Sequence, residues 1–127
     1  MAKILVVEDD RMIQVVLKAM LTQLKHSVVV ASSATEALEK IAEDIEFVLM
    51  DIGLPEGYEA GVDAVKKIRL KGGKFSSIPI VALTANKDQE MIIKMIKAGA
   101  NDYLTKPTTP EQLTGMINDL TNHPHAA

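Results

Sequence analysis

Four consecutive apolar residues, Phe47-Val48-Leu49-Met50, run straight into a carboxylate, Asp51. A strand with one wet face alternates apolar and polar residues. An unbroken apolar run instead reads as a strand covered on both faces, the condition of a parallel sheet with helices above and below. The run also constrains Asp51, because a carboxylate taken out of water without a partner protonates or is strongly destabilising. Asp51 therefore has to sit beside a cation or open onto a cleft.

The same unit recurs along the chain. Lys3-Ile4-Leu5-Val6-Val7 ends in Glu8-Asp9-Asp10, and a helical pattern follows with apolar residues at Ile13, Leu17, Met20, Leu21 and Leu24. Asp10 sits just before that pattern and reads as its N-cap. Val28 to Ala31 is a second short strand, and Ser33-Ala34-Thr35-Glu36 has capping-box spacing ahead of Ala37, Leu38 and Ile41. The run at Phe47 is the third. It leads through a loop with Pro55, Gly57 and Gly61 into a helix carrying Val62, Val65, Ile68 and Arg69, ended by Gly72-Gly73.

Ile78-Pro79-Ile80-Val81-Ala82-Leu83 is the fourth strand, with Thr84 at its carboxyl end. In residues 88–98, Ile92, Met95 and Ile96 form the expected inward face of a helix that Gly99 stops. Met91 and Ile93 flank that face and read equally as a broader buried surface or an interaction surface. Asp102 to Thr105 is the last strand. After Lys106-Pro107, Thr109-Pro110-Glu111-Gln112 combines an N-cap, a helix-starting proline and a capping-box glutamine ahead of Leu113, Met116, Ile117 and Leu120. Five strands alternating with five helices predict one α/β domain over residues 1–122, a parallel doubly wound sheet, with a tail at 123–127.

Composition removes several function classes. Lys and Arg total 14 against 17 Asp and Glu, so a net charge of −3 provides no basic footprint for nucleic acid. With 3% aromatic residues and no Trp, base-stacking platforms and aromatic cages are not expected. No apolar run is long enough to insert in a membrane, there is no cysteine, and no amino-terminal leader pattern is present, which together predict a cytoplasmic setting.

In doubly wound sheets ligands bind beyond the carboxyl ends of the strands, where strand order reverses. Those ends carry Glu8 and Asp9 after the first strand, Asp51 after the third, Thr84 after the fourth and Lys106 after the fifth. Clustered carboxylates repel, by about 4 kcal/mol for a pair ~4 Å apart at an effective dielectric of ~20, and a hard cation relieves this. Mg²⁺ takes oxygen ligands and is typically held by one or two carboxylates beside phosphate, so Asp9 and Asp51 are the candidate direct ligands. Asp51 is then placed to accept a phosphoryl group as an aspartyl phosphate, with Lys106 neutralising its charge and Thr84 donating a hydrogen bond to it. Alone, Thr84 would read as a strand-end hydroxyl and Lys106 as a solvated charge. Their convergence on one sheet edge is what carries the functional reading.

These residues, in Val6-Val7-Glu8-Asp9-Asp10, Met50-Asp51-Ile52-Gly53-Leu54-Pro55, Ala82-Leu83-Thr84-Ala85 and Lys106-Pro107, are similar to the motifs of the receiver domain of two-component response regulators, of the chemotaxis-regulator type. The resemblance covers Lys3 to about Asn122. It implies a flavodoxin-like strand order 2-1-3-4-5, with Asp51 the phosphoacceptor and Asp9 a direct metal ligand. By the same resemblance Glu8 reaches the metal through water, the Gly53 carbonyl is a further ligand, and Thr84 and Lys106 contact the phosphoryl group. A cis Lys106–Pro107 bond is implied, and Tyr103 matches the switch aromatic that moves inward as Thr84 is drawn to phosphate, altering a surface of the fourth helix, fifth strand and fifth helix. The implied partners are a sensor histidine kinase or histidine phosphotransfer protein and a downstream target. The implied role is a phosphoacceptor that assists its own phosphorylation and dephosphorylation rather than an enzyme.

The stretch from Pro55 to Gly61, containing Glu56-Gly57-Tyr58-Glu59-Ala60, is longer than the spacing usual in that family. No effector domain is expected after the fifth helix, and output is expected by contact or onward phosphotransfer. The wording Ile78-Pro79-Ile80-Val81-Ala82-Leu83-Thr84-Ala85-Asn86 is most similar to receivers of hybrid kinases and phosphorelays. The alternative is a haloacid-dehalogenase-like Mg²⁺-dependent phosphatase, but its Asp-x-Asp pair after the first strand is replaced here by Glu8-Asp9-Asp10. A flavodoxin-like cofactor binder would need a hydroxyl- and glycine-rich loop that this chain lacks at that position.

Overall fold

The computed structural model describes residues 2–57, 59–85 and 89–122; Met1, Tyr58, Asn86, Lys87, Asp88 and the expected tail at 123–127 lie outside the described residues. Strands β1 (Lys3–Val7), β2 (Ser27–Ala31), β3 (Phe47–Asp51), β4 (Ile80–Thr84) and β5 (Asp102–Thr105) alternate with helices α1 (Arg11–Gln23), α2 (Ala34–Lys40), α3 (Ala60–Leu70), α4 (Gln89–Ala98) and α5 (Pro110–Asn122). All pairings are parallel, in the order β2-β1-β3-β4-β5. This is the doubly wound, flavodoxin-like sheet expected from the strand pattern and the resemblance.

The unbroken apolar runs are explained by two cores, one on each face. Phe47 and Leu49 of β3 join Ile4, Val6, Val81 and Leu83 beneath α1 and α5. Val48 and Met50 point the other way, with Leu5, Val7, Ile80 and Ala82, into a core closed by α2, α3 and α4. Alternation still holds along the central strands β1, β3 and β4, whose two faces are both dry, whereas the edge strands β2 and β5 keep exposed positions such as Ser27 and Tyr103.

The predicted caps form. Asp10 accepts from the N–H groups of Met12 and Ile13 (2.9 and 3.1 Å) at the start of α1. At α5, Thr109 Oγ1 accepts from the Gln112 N–H (3.2 Å) while Gln112 Oε1 accepts from the Thr109 N–H (3.0 Å), a reciprocal capping box. The box at α2 is displaced: Ser33 Oγ accepts from the Glu36 N–H, but Glu36 takes the N–H of Ser32 rather than that of Ser33.

Two expectations are corrected, and one short element was not foreseen. β4 begins at Ile80 rather than Ile78, because Pro79 has no N–H to donate; its carbonyl still accepts from the Val48 N–H (2.9 Å). A 3-10 turn at Gly73–Ser76, entered through Gly72 at φ 75°, follows α3 and carries Phe75 into the core. On α4 the buried residues are Met91 and Met95, whereas Ile93 and Ile96 are exposed and Ile92 is half-buried. Apolar residues at 91, 92, 93, 95 and 96 surround most of that helix, so periodicity could not choose the inward face, and packing on the sheet chose it.

Candidate functional site

The side-chain alternation that builds the cores also builds the site. Glu8, Asp51 and Lys106 each continue the residues of β1, β3 and β5 that point toward α1 and α5, two positions beyond Val6, Leu49 and Leu104. The register pairs Val7 with Met50, so Glu8 and Asp51 emerge side by side. Lys106, two strands away, has a chain long enough to reach back across the end of β4. Its Nζ lies 2.9 Å from Glu8 Oε1 and 3.1 Å from Asp51 Oδ1.

Glu8 is 0%, Asp51 3% and Thr84 4% exposed, so the first two are carboxylates held in the interior. The Asp10 N–H donates to Glu8 Oε2 (3.0 Å), and the Gly53 N–H donates to Asp51 Oδ1 (3.2 Å). Gln14 donates its amide to the Glu8 backbone carbonyl, holding that turn from within α1. Burial pushes the Glu8 carboxyl up to about 7, against the pull of the Asp10 N–H and of Lys106. For Lys106, burial alone would lower the ammonium pKa, but the hydrogen bond to Glu8 and the charge of Asp51 outweigh it and hold it above its ordinary value.

Glu8, the exposed Asp9 and Asp51 can each offer an oxygen within 4.8 Å of the others. One ammonium does not balance three carboxylates, and a set of hard oxygen donors suits Mg²⁺. The residues thus fit a divalent cation, with the exposed Gly53 at the rim of the same cleft. That cleft, of about 780 Å³, is also lined by Thr84 and Pro107 and runs along α1 past Met12, Val16 and Met20. Met12 is 72% exposed, an apolar wall beside the acidic floor. The Lys106–Pro107 bond is cis, as the resemblance implied.

Of the residues expected from sequence, Glu8, Asp9, Asp51, Gly53, Thr84 and Lys106 line this one cleft. Tyr103 does not line it; it sits exposed on β5 opposite Ala82, on the same sheet face as Thr84. Sequence reasoning missed Gln14, the apolar wall of α1 and the contacts of Glu56. Met12 and Val16, apolar residues outside the stripe of Ile13, Leu17, Leu21 and Leu24, were the available signal for the wall.

Fold and site together define a doubly wound α/β protein with a buried, lysine-bridged acidic centre at its carboxyl edge. The sequence matches the response regulator receiver domain family over residues 4–118, and the chain belongs to that family, the receiver module of two-component signalling. It is 33% identical to a chemotaxis protein CheY homolog of Campylobacter jejuni, over 93% of this chain and 91% of that protein. It is 36% identical to the transcriptional regulatory protein KdpE of Staphylococcus aureus over 91% of this chain, which spans only 48% of that protein's length. Among solved structures, the receiver domain of sensor histidine kinase PA1611 from Pseudomonas aeruginosa, with a magnesium ion coordinated in its active-site cleft, superposes with a TM-score of 0.82 at 33% identity, covering 92% of this chain and 94% of that one. The family match leaves the phosphatase alternative without support. Among the described residues no helix is long and apolar enough to cross a membrane.

Proposed function

We propose that Asp51 accepts a phosphoryl group from a phosphohistidine on a sensor kinase or a histidine phosphotransfer protein. An Asp51 carboxylate oxygen forms the new O–P bond while the P–N bond breaks, and the electron pair leaves with the imidazole. The observation that carries this reading is the buried Asp51 bridged by Lys106 at 3.1 Å beside Glu8 and Asp9. Lys106 and the Gly53 N–H both hold Oδ1, which orients the carboxylate toward the cleft. Lys106 then neutralises the transferred oxygens, and the Thr84 hydroxyl donates to one of them. Mg²⁺, held by Asp9, Asp51, the Gly53 carbonyl and Glu8 through water, would supply charge neutralisation between the carboxylate and the incoming phosphoryl. The magnesium described for the PA1611 receiver domain supports this choice of metal.

The donor would lie against the apolar wall of α1, where Met12 and Val16 border the acid residues. Output would pass through α4, β5 and α5. Thr84 and Tyr103 share a sheet face, and Ile93 and Ile96 add exposed apolar surface on α4. Drawing the Thr84 hydroxyl toward phosphate opens space for the Tyr103 ring, which biases that surface between two states for a downstream partner.

The test is intact mass after incubation with Mg²⁺ and acetyl phosphate, or with a phosphorylated histidine kinase. One phosphoryl adduct that needs Mg²⁺ and is lost in Asp51→Ala is the expected result. No adduct from either donor would reject the phosphoacceptor reading.

A further inference from the structure

Helix α2 opens with N–H groups that its own backbone does not satisfy. Ser33 Oγ takes that of Glu36 (3.0 Å). Two others are taken by a carboxylate from a remote part of the chain. Glu56 Oε1 accepts from the Ala34 N–H at 3.1 Å and Oε2 from the Thr35 N–H at 2.9 Å, across 22 and 21 residues. Both oxygens of an exposed side chain are thereby committed. The Thr35 N–H, assisted by that of Ala34, holds the Glu56 carboxyl down to about 2.

The other end of this clamp is the segment joining β3 to α3. It is a succession of tight turns, in which Leu54 N–H donates to Ile52 O (3.2 Å), Gly57 N–H to Leu54 O (3.3 Å) and Ala60 N–H to Gly57 O (3.2 Å). The buried Leu54 side chain pins the inner half. Gly53 precedes it, exposed, its N–H held by Asp51 Oδ1 (3.2 Å) and a Cβ there meeting nothing within 4 Å, so its carbonyl depends on how the segment beyond it is held. The outer half is fastened by Glu56 and by a Glu59–Lys94 ion pair at 3.5 Å, which is exposed and therefore weak. Two charge-assisted bonds to backbone amides are the stronger tether.

We infer that Glu56 is a positioning residue: by clamping the β3–α3 segment to the start of α2 it sets the Gly53 peptide, and so the carbonyl oxygen available to a bound divalent cation. This rests on the Mg²⁺ site proposed above. It assigns a role in that site to a residue that never touches it.

The experiment is calorimetric titration of Mg²⁺ into the wild type, Glu56→Ala, Glu56→Gln, Ser33→Ala and Asp9→Asn, with the Gly53 amide resonance recorded in each metal-free protein. Glu56→Ala is expected to weaken Mg²⁺ about 3- to 10-fold, at or below the usual range for partners that orient metal ligands, and to move the Gly53 resonance. Glu56→Gln, which keeps an acceptor, should recover part of the loss. Ser33→Ala also removes a cap from α2 but does not touch the segment, so it should lower thermal stability and leave Mg²⁺ affinity unchanged. Equal weakening by Ser33→Ala and Glu56→Ala would overturn the proposal and assign the effect to helix stability. Unchanged affinity in Glu56→Ala, with binding lost in Asp9→Asn, would overturn the positioning role alone. Undiminished binding in Asp9→Asn would overturn the metal site itself.

Discussion

Lys106 brings one positive charge to a site where Glu8, Asp9 and Asp51 converge, and the imbalance determines how each residue responds to substitution. Like charges ~4 Å apart cost about 4 kcal/mol at an effective dielectric of ~20, and less where water reaches them. Asp9 is the exposed member and has no bond to Lys106. In EDTA, Asp9→Asn should therefore stabilise the protein by about 0.5–1.5 kcal/mol, raising the melting temperature by roughly 2–6 °C. The same variant should lose the further rise that Mg²⁺ is expected to produce in wild type through mass action at the proposed site. Thermal unfolding with and without Mg²⁺ reads both effects. A lower melting temperature in EDTA would mean that no repulsion is stored at Asp9.

Elements are joined by two polar devices that act far from the acidic centre or beside it. Arg69, at the end of α3, donates to Gly99 O (3.0 and 2.7 Å), Phe75 O (3.0 Å), Ile78 O (2.7 Å) and Asn101 Oδ1 (3.0 Å). It ties α3, the 3-10 turn, the entry to β4 and the α4–β5 connection into one knot. Gly99 is required there, since it has φ 127° and a Cβ would come within 2.8 Å of Arg69 Cγ. Arg69→Ala should cost about 3 kcal/mol, or roughly 10 °C in melting temperature, by stranding several half-buried acceptors. Arg69→Lys should recover little, because a single ammonium cannot reproduce the guanidinium fork. Denaturant titration measures both.

The Glu56 clamp has a pH signature with a definite sign. Its carboxyl is lowered from 4.5 to about 2, so between those values the unfolded chain binds a proton that the folded one refuses. The clamp's contribution is whole above about 4.5 and is lost as pH falls toward 2. The stability difference between wild type and Glu56→Gln should be constant near neutral pH and shrink across that window in urea titrations. A difference that stays flat through the window would separate Glu56 from acid sensitivity.

At the scale of the whole molecule, the sheet divides two cores, and the proposed switch uses the division. Asp51 and Lys106 belong to the side of α1 and α5, whereas Thr84 and Tyr103 belong to the side of α2, α3 and α4. Thr84 also lines the acidic cleft, which is why the proposed switch assigns to its hydroxyl the passage of a change at Asp51 through the sheet. Thr84→Ala should still form the Asp51 adduct. Its phosphorylated and unphosphorylated forms should bind the output partner equally, where wild type should differ by about 5-fold or more. Calorimetry with the partner decides this, and equal affinities in wild type would exclude the switch.

The sequence by itself determined the alternation of five strands with five helices and the residues at the strand ends, because both follow from local pattern, while the strand order came through the resemblance to the receiver family. Unbroken apolar runs demand two covered faces, capping residues mark helix starts, and the strand ends taken together single out Glu8, Asp9, Asp51, Thr84 and Lys106. Only the tertiary structure decided which partner answers each demand. Glu8 and Lys106 meet across 98 residues, and Glu56 chooses the amides of α2 over water. Met91 and Met95 turn inward although Ile92 and Ile96 are as apolar, and Phe75 is buried by a turn that no periodicity announces. A local pattern states that a group must be buried or bonded. The choice among equivalent ways of doing so is made by the packing of elements distant in the chain.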